Sequence, residues 1–260
     1  MTIPVNAPSV QQRVTAAIAS ASARTGVPFD YLMDQARIES GMRPDARAST
    51  SSATGLYQFT KQTWLGTLKQ HGAAHGLGWA SDAISKNSEG TYAVADSSIR
   101  ARILELRTDP EAAASMAAEF AADNGEYLQS RIGADPGPED LYLAHFLGAE
   151  GAARFLNAHK AQPDQAAAPI FPAAAAANRS IFYREDGSAR SLADIRRNFA
   201  VKLGNTISQP PSPMPAYRHS LRQVSGQQPR LTLTPMEPMP KRLDLDFARD
   251  AYRRLSGLPA

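Results

Sequence analysis

Proline divides this chain before any other signal does. Nine of its nineteen prolines fall between Asn205 and Ala260, among them Pro210, Pro211, Pro213 and Pro215, then Pro235, Pro238 and Pro240. A ring that fixes φ and removes an N–H donor is unsuited to helix interiors and central strands, and large apolar residues are scarce here. The segment therefore lacks the material for a core. Within it only Leu243–Leu255 reads as a short terminal helix. Whatever core the chain builds must come from Met1–Gly204, which leaves a folded domain over residues 1–204 and a proline-rich extension over 205–260. A length of 260 residues suits one good-sized core plus such an appendage.

Before Gly204 the punctuation is helical nearly throughout. Residues Gln11–Arg24 are rich in alanine, with Val14, Ile18 and Ala21 on one face. Thr60 is placed to cap a helix carrying Trp64, Leu65 and Leu68. Asp109-Pro110-Glu111 is a start signal for a helix to about Ile132, with Met116, Phe120 and Leu128 inward. Leu141–Leu156 reads as two short helices broken near Gly148. Ser191 to Asp194 forms a capping-box pattern ahead of Ile195, Phe199 and Leu203, and Gly204 ends that helix. Five alanines, Ala173–Ala177, precede an anchor at Ile181, Phe182 and Tyr183. There is no convincing run of strand alternation, no repeat and no heptad, so the expected class is all-α.

The formal charge of +3 is unevenly spread. Residues 205–260 hold eight Lys/Arg against four Asp/Glu, so the first 204 residues are close to neutral. A near-neutral domain is not a nucleic-acid platform. The absence of cysteine excludes disulfides and thiolate metal sites and suits either cytoplasm or periplasm. His71 and His75 stand four residues apart, but without H-E-x-x-H, with Gly72 between them and with no third ligand evident, they read as a solvated loop pair. No metal is expected. No nucleophile elbow, P-loop or dinucleotide fingerprint occurs, and no cofactor is expected. Trp64 and Trp79 are of a type that stacks on sugars, although a single Trp is more often core.

One carboxylate is out of place. Pro28 opens a helix that Gly41 closes, with Phe29, Leu32, Met33 and Ala36 on one face and Asp30, Asp34 and Arg37 on the other. Glu39 follows Leu32 by seven residues and Ala36 by three, so it points with the apolar set. Carboxylates are rarely buried unpaired, and an apolar setting raises a carboxyl pKa, the condition a general acid needs near neutrality. A Glu in the last turn that simply reaches solvent is the competing reading on this helix alone.

Sixteen residues after Glu39, beyond a small-polar loop from Ala48 to Thr54, comes Gly55-Leu56-Tyr57-Gln58-Phe59. The combined pattern, E-S-G-x-x-P-x-A, a Ser/Thr/Ala-rich loop, then G-L-Y-Q-F-x-x-x-T-W, resembles the soluble lytic transglycosylases, lysozyme-like enzymes that cleave peptidoglycan. The resemblance is strong from Gly26 to Trp64 and weaker from Leu141 to Phe155. It implies a lysozyme-like helical domain, with Glu39 as catalytic acid/base beside Ser40, and with Tyr57, Gln58 and Phe59 lining the sugar groove. The family's third signature, A-Y-N-x-G, is matched by Ala144-His145-Phe146-Leu147-Gly148, so His145 stands where tyrosine is expected. Either His145 supplies the missing hydrogen bond to the acid, or Tyr142 reaches in from one turn earlier; a hydrogen-bonded core histidine is the alternative for His145.

Most glycosidases need two acids. Asp45 is the nearest candidate partner, but its R-P-D-A-R loop suggests pairing with Arg43 or Arg47. A single-acid site is what the resemblance implies. The expected activity is lytic cleavage of the bond between N-acetylmuramic acid and N-acetylglucosamine, giving a 1,6-anhydro product. A hydrolytic muramidase using Glu39 and a non-enzymatic glycan-binding scaffold are the competing readings. The expected partner is the glycan strand, and the expected location is the periplasm. Met1–Val14 shows no charged n-region or apolar h-region, and no segment is long enough to span a bilayer. Specialised export, a removed signal or phage origin would each account for that. Export as part of a flagellar or secretion machine would give residues 205–260 a machine component, or the anionic wall itself, to bind.

Overall fold

The computed structural model of the chain describes residues 7–49 and 51–204. The proline-rich extension, with its expected helix over 243–255, lies outside the described residues. The rest is mostly helical, and the helices begin and end largely where the local chemistry dictates.

α1 (Val10–Thr25) starts at a reciprocal cap in which Ser9 and Gln12 each accept the other's backbone N–H, and it buries Val14, Ala17, Ile18 and Ala21. That face packs on α6 (Pro110–Ile132), the long central helix, ~34 Å at 1.5 Å per residue. Asp109 caps α6 by accepting from Ala112 N at 2.8 Å, and Pro110 occupies its first turn. Seven consecutive residues, Ala112 to Ala118, are buried. A helix enclosed on all sides can be approached closely by its neighbours only if its side chains are small, and five of those seven are alanine. Phe120, expected inward, is only half-buried, with its ring edge-on to Phe59 at 6.4 Å.

α2 (Phe29–Ser40) follows Pro28 and ends at Gly41 in the left-handed conformation. α3 (Lys61–His71) is capped by Thr60, whose hydroxyl accepts from Thr63 N, and buries Trp64, Leu65 and Leu68. The Trp64 indole N–H donates to Ile103 O at 2.8 Å, so its one polar group is satisfied inside the core. The chain continues through α4 (Gly78–Ala83) and α5 (Ser97–Glu105), the latter capped by Asp96. Between them lies the main departure from an all-helical expectation: a hairpin of β1 (Ile84–Lys86) and β2 (Tyr92–Val94), antiparallel with Ile84 opposite Val94. Three-residue strands carry too little alternation to be recognised. What holds this pair is tertiary: Ile84 and Val94 enter the core, and the Gln62 amide exchanges two hydrogen bonds with the Tyr92 backbone.

α7 (Pro138–Leu147) and α8 (Ala149–Ala161) break at Gly148, whose φ of 75° and ψ of 157° suit no other residue type. The alanine run forms α9 (Pro172–Ala177), α10 (Arg179–Phe182) anchors through buried Ile181 and Phe182, and α11 (Leu192–Lys202) starts at the Ser191–Asp194 capping box. Gly204 follows α11 with φ of 70°. No helix of the described residues is long and apolar enough to cross a membrane.

The two loop histidines are not solvated as expected. His71 closes α3 and His75 sits in the 3₁₀ turn Gly72–His75, both against α6. His71 lies 3.3 Å from Glu119 through Nδ1 and 2.8 Å from Asp123 through Nε2, and His75 Nε2 lies 2.6 Å from Glu119. Burial opposes charge on His71, but its bond to Asp123 and the charges of Asp123, Glu119 and Glu126 outweigh that and raise its pKa. The residue spacing was legible, but the acidic face of α6 opposite it was not. Among the described residues no group of His, Asp and Glu is arranged to hold a metal ion.

Candidate active site

The site is assembled where the last turn of α2 meets α7. Glu39 is 2% exposed overall, and its side chain is fully enclosed. Two α7 side chains converge on one of its oxygens. The Tyr142 hydroxyl donates to Oε1 at 3.3 Å, and His145 Nε2 lies 3.2 Å from the same atom. Of the two candidates weighed for this contact, the fold brings both. They stand three residues apart on one helical face, with ring centroids 5.6 Å apart. The Tyr142 ring is held edge-on by Phe199 of α11, at 5.5 Å.

α7 is fixed in this position from its first turn. Asp140 accepts from the Gly137 backbone N–H and takes a two-pronged bond from Arg196, at 2.8 Å from Nε and 2.9 Å from Nη2; Arg196 also reaches Glu139 at 2.8 Å. These contacts raise the Arg196 pKa, the hydrogen bond to Asp140 most of all.

The G-L-Y-Q-F segment lies in the same part of the fold, and its polar groups face the protein. Gly55 has φ of 87°, and a Cβ there would sit 1.8 Å from Arg107 O, so only glycine fits. The Tyr57 hydroxyl donates to Leu32 O of α2 at 3.2 Å, and burial pushes its pKa well above the ordinary tyrosine value. Gln58, at a positive φ of 49°, donates its amide to Gly55 O and Ala46 O. Phe59 packs edge-on to Trp64 at 5.3 Å. The Ser40 hydroxyl donates to Ala36 O and accepts from Arg43 N, closing the loop after α2. Ser40, Tyr57, Gln58 and Phe59 are therefore each engaged with the protein's own backbone or core.

Two residues that the sequence reading passed over matter here. Arg107 is buried and donates to Leu104 O, Ser52 O and Phe59 O, at 2.9, 2.7 and 3.1 Å, tying the loop to α5 and the 3₁₀ turn Leu106–Thr108. Burial and the nearby Arg47 charge lower its pKa to about 10. Gln35 is buried one turn before Glu39 on α2, with its Nε2 3.3 Å from His145 Nδ1. Its spacing of four from Glu39 was the available signal.

Arg47 pairs with Glu105 at 3.4 Å, and Asp45 is exposed. Asp45, Pro44, Trp79, Arg102 and Val10 line an open groove of about 690 Å³ that does not include Glu39. Trp79 is 42% exposed there, with the Arg102 guanidinium over its ring at 4.8 Å, whereas Trp64 is wholly core. No protein-family model matches the chain.

Proposed function

We propose that this chain is a peptidoglycan lytic transglycosylase of lysozyme-like fold in which Glu39 is the single acid/base. The observation that carries this reading is the enclosed Glu39 carboxyl, with Tyr142 and His145 converging on its Oε1. An acid held in a water-poor, hydrogen-bonded setting is suited to alternate between proton donor and acceptor. In the first half of the reaction, Glu39 gives its proton to the oxygen leaving N-acetylmuramic acid C1 as that bond breaks. The N-acetyl carbonyl relieves the positive charge that develops on the ring. In the second half, the muramyl 6-hydroxyl closes on C1, and its proton goes to the Glu39 carboxylate. The ring closure regenerates the acid and consumes no water. Because the Glu39 side chain is enclosed, glycan entry requires the cover over it to open.

The substrate places the enzyme in the periplasm or at the wall, and residues 205–260 are the candidate segment for docking on a flagellar or secretion component. Mass spectrometry of muropeptides released from sacculi tests the activity. Anhydro-muramyl ends support the proposal; reducing ends would replace it with a hydrolytic muramidase, and no release with a glycan-binding scaffold.

A further inference from the structure

We propose that Gln35 is a positioning residue that fixes which ring nitrogen of His145 carries the proton, so that His145 presents Nε2–H to Glu39. The inference rests on the acid/base role proposed for Glu39 and adds a third member to the Glu39–His145 pair. Gln35 and Glu39 lie one turn apart on α2, and both point at α7. The Gln35 amide nitrogen is 3.3 Å from His145 Nδ1, and the opposite ring nitrogen is 3.2 Å from Glu39 Oε1. An amide nitrogen only donates, so Nδ1 must accept. A neutral imidazole whose Nδ1 accepts carries its hydrogen on Nε2. That hydrogen points at the carboxylate.

The second observation is the other end of the same amide. Gln35 is 3% exposed, and its Oε1 is buried without a hydrogen-bond partner among the described residues. A buried carbonyl left unpaired destabilises the fold, and leucine or methionine would fill this position without that penalty. The amide earns its place through the one bond that it makes, the bond to His145. The reversed amide would place Oε1 against Nδ1 and require a hydrogen there. It would turn a bare Nε2 lone pair toward Glu39, an arrangement at odds with an ionised carboxylate. Gln35 thus selects the tautomer that supports Glu39 in the form that must take the 6-hydroxyl proton.

The test is ¹⁵N-resolved NMR of the histidine rings in the full chain near neutral pH, with His145 assigned by its loss in His145→Gln. The wild type should show a protonated Nε2 and a bare Nδ1. Gln35→Met, which keeps the volume and loses the donor, should give mixed tautomers. Gln35→Glu, whose carboxylate accepts, should place a hydrogen on Nδ1. On glycan substrate, Gln35→Met should lower kcat roughly tenfold with little change in KM, the scale of one misplaced hydrogen bond. A wild-type ring protonated on Nδ1, or a Gln35→Met ring with the wild-type pattern, overturns the proposal. The ring signals decide it even if the wild type releases no muropeptide, an outcome that would count against the lytic activity alone.

Discussion

Replacing Gly55 by alanine should destabilise the protein more than its backbone angle alone explains. Gly55 has φ of 87°, and an alanine held in the left-handed region costs about 1–2 kcal/mol. The added Cβ would also lie 1.8 Å from Arg107 O and 2.7 Å from the Arg107 carbonyl carbon, so the two backbones must separate by roughly 1 Å before contact is tolerable. They cannot separate freely, because the Arg107 side chain binds Ser52 O and Phe59 O on the same loop. Backbone displacement of this kind in a packed interior costs a further ~1–3 kcal/mol. Gly133→Ala is the matched control: φ is 68°, and nothing lies within 4 Å of the added methyl. Gly55→Ala should therefore lose about 2 kcal/mol more than Gly133→Ala, roughly 6 °C in Tm for a domain of this size. Thermal unfolding followed by circular dichroism reads the difference. Equal Tm losses in the two variants would refute the claim that this close approach to Arg107 holds the loop in place.

Three further outcomes follow from the contacts. Arg196→Met strips Asp140 of its two-pronged partner; because Arg196 is partly exposed, the loss should be about 2 kcal/mol, between surface and fully buried pairs, measurable by urea unfolding. His71 has a folded pKa raised above its ordinary 6.5, so its contribution is complete below that value and disappears as pH rises through the folded pKa. Unfolding free energies of wild type and His71→Gln should thus differ most at acidic pH and converge under alkaline conditions; a gap that widens with pH contradicts the pairing with Glu119 and Asp123. Cutting the chain after Gly204 should leave a helical domain that unfolds cooperatively and still cleaves isolated glycan strands, whereas aggregation or a much lower Tm would show that residues 205–260 belong to the fold.

Helix termini were the most legible part of the sequence, because caps are local chemistry. Thr60, Asp109 and Ser191 each accept the backbone N–H that their position implies. The apolar placement of Glu39 was legible for the same reason, as a matter of angle along one helix. What could not be read is whatever depends on a partner distant in sequence. Gln35 looks like any polar helix residue until His145, on another helix, is placed against it. The same holds for His71 and His75, whose acids come from α6, and for Arg107, whose acceptors are loop carbonyls. The hairpin at Ile84 and Val94 escaped notice because its strands are too short for periodicity and depend on Gln62 of α3.

The most direct test is to compare the wild type with Glu39→Gln for release of anhydro-muropeptides from sacculi. Glutamine preserves the side-chain shape and can still meet Tyr142 and His145, but it cannot deliver a proton. Acid/base catalysis is worth roughly 10²–10⁴-fold, so anhydro product should form with the wild type and fall by that factor in the variant, while the fold and glycan binding persist. A folded Glu39→Gln protein that releases anhydro product at nearly the wild-type rate would remove Glu39 from the chemistry and contradict the central claim.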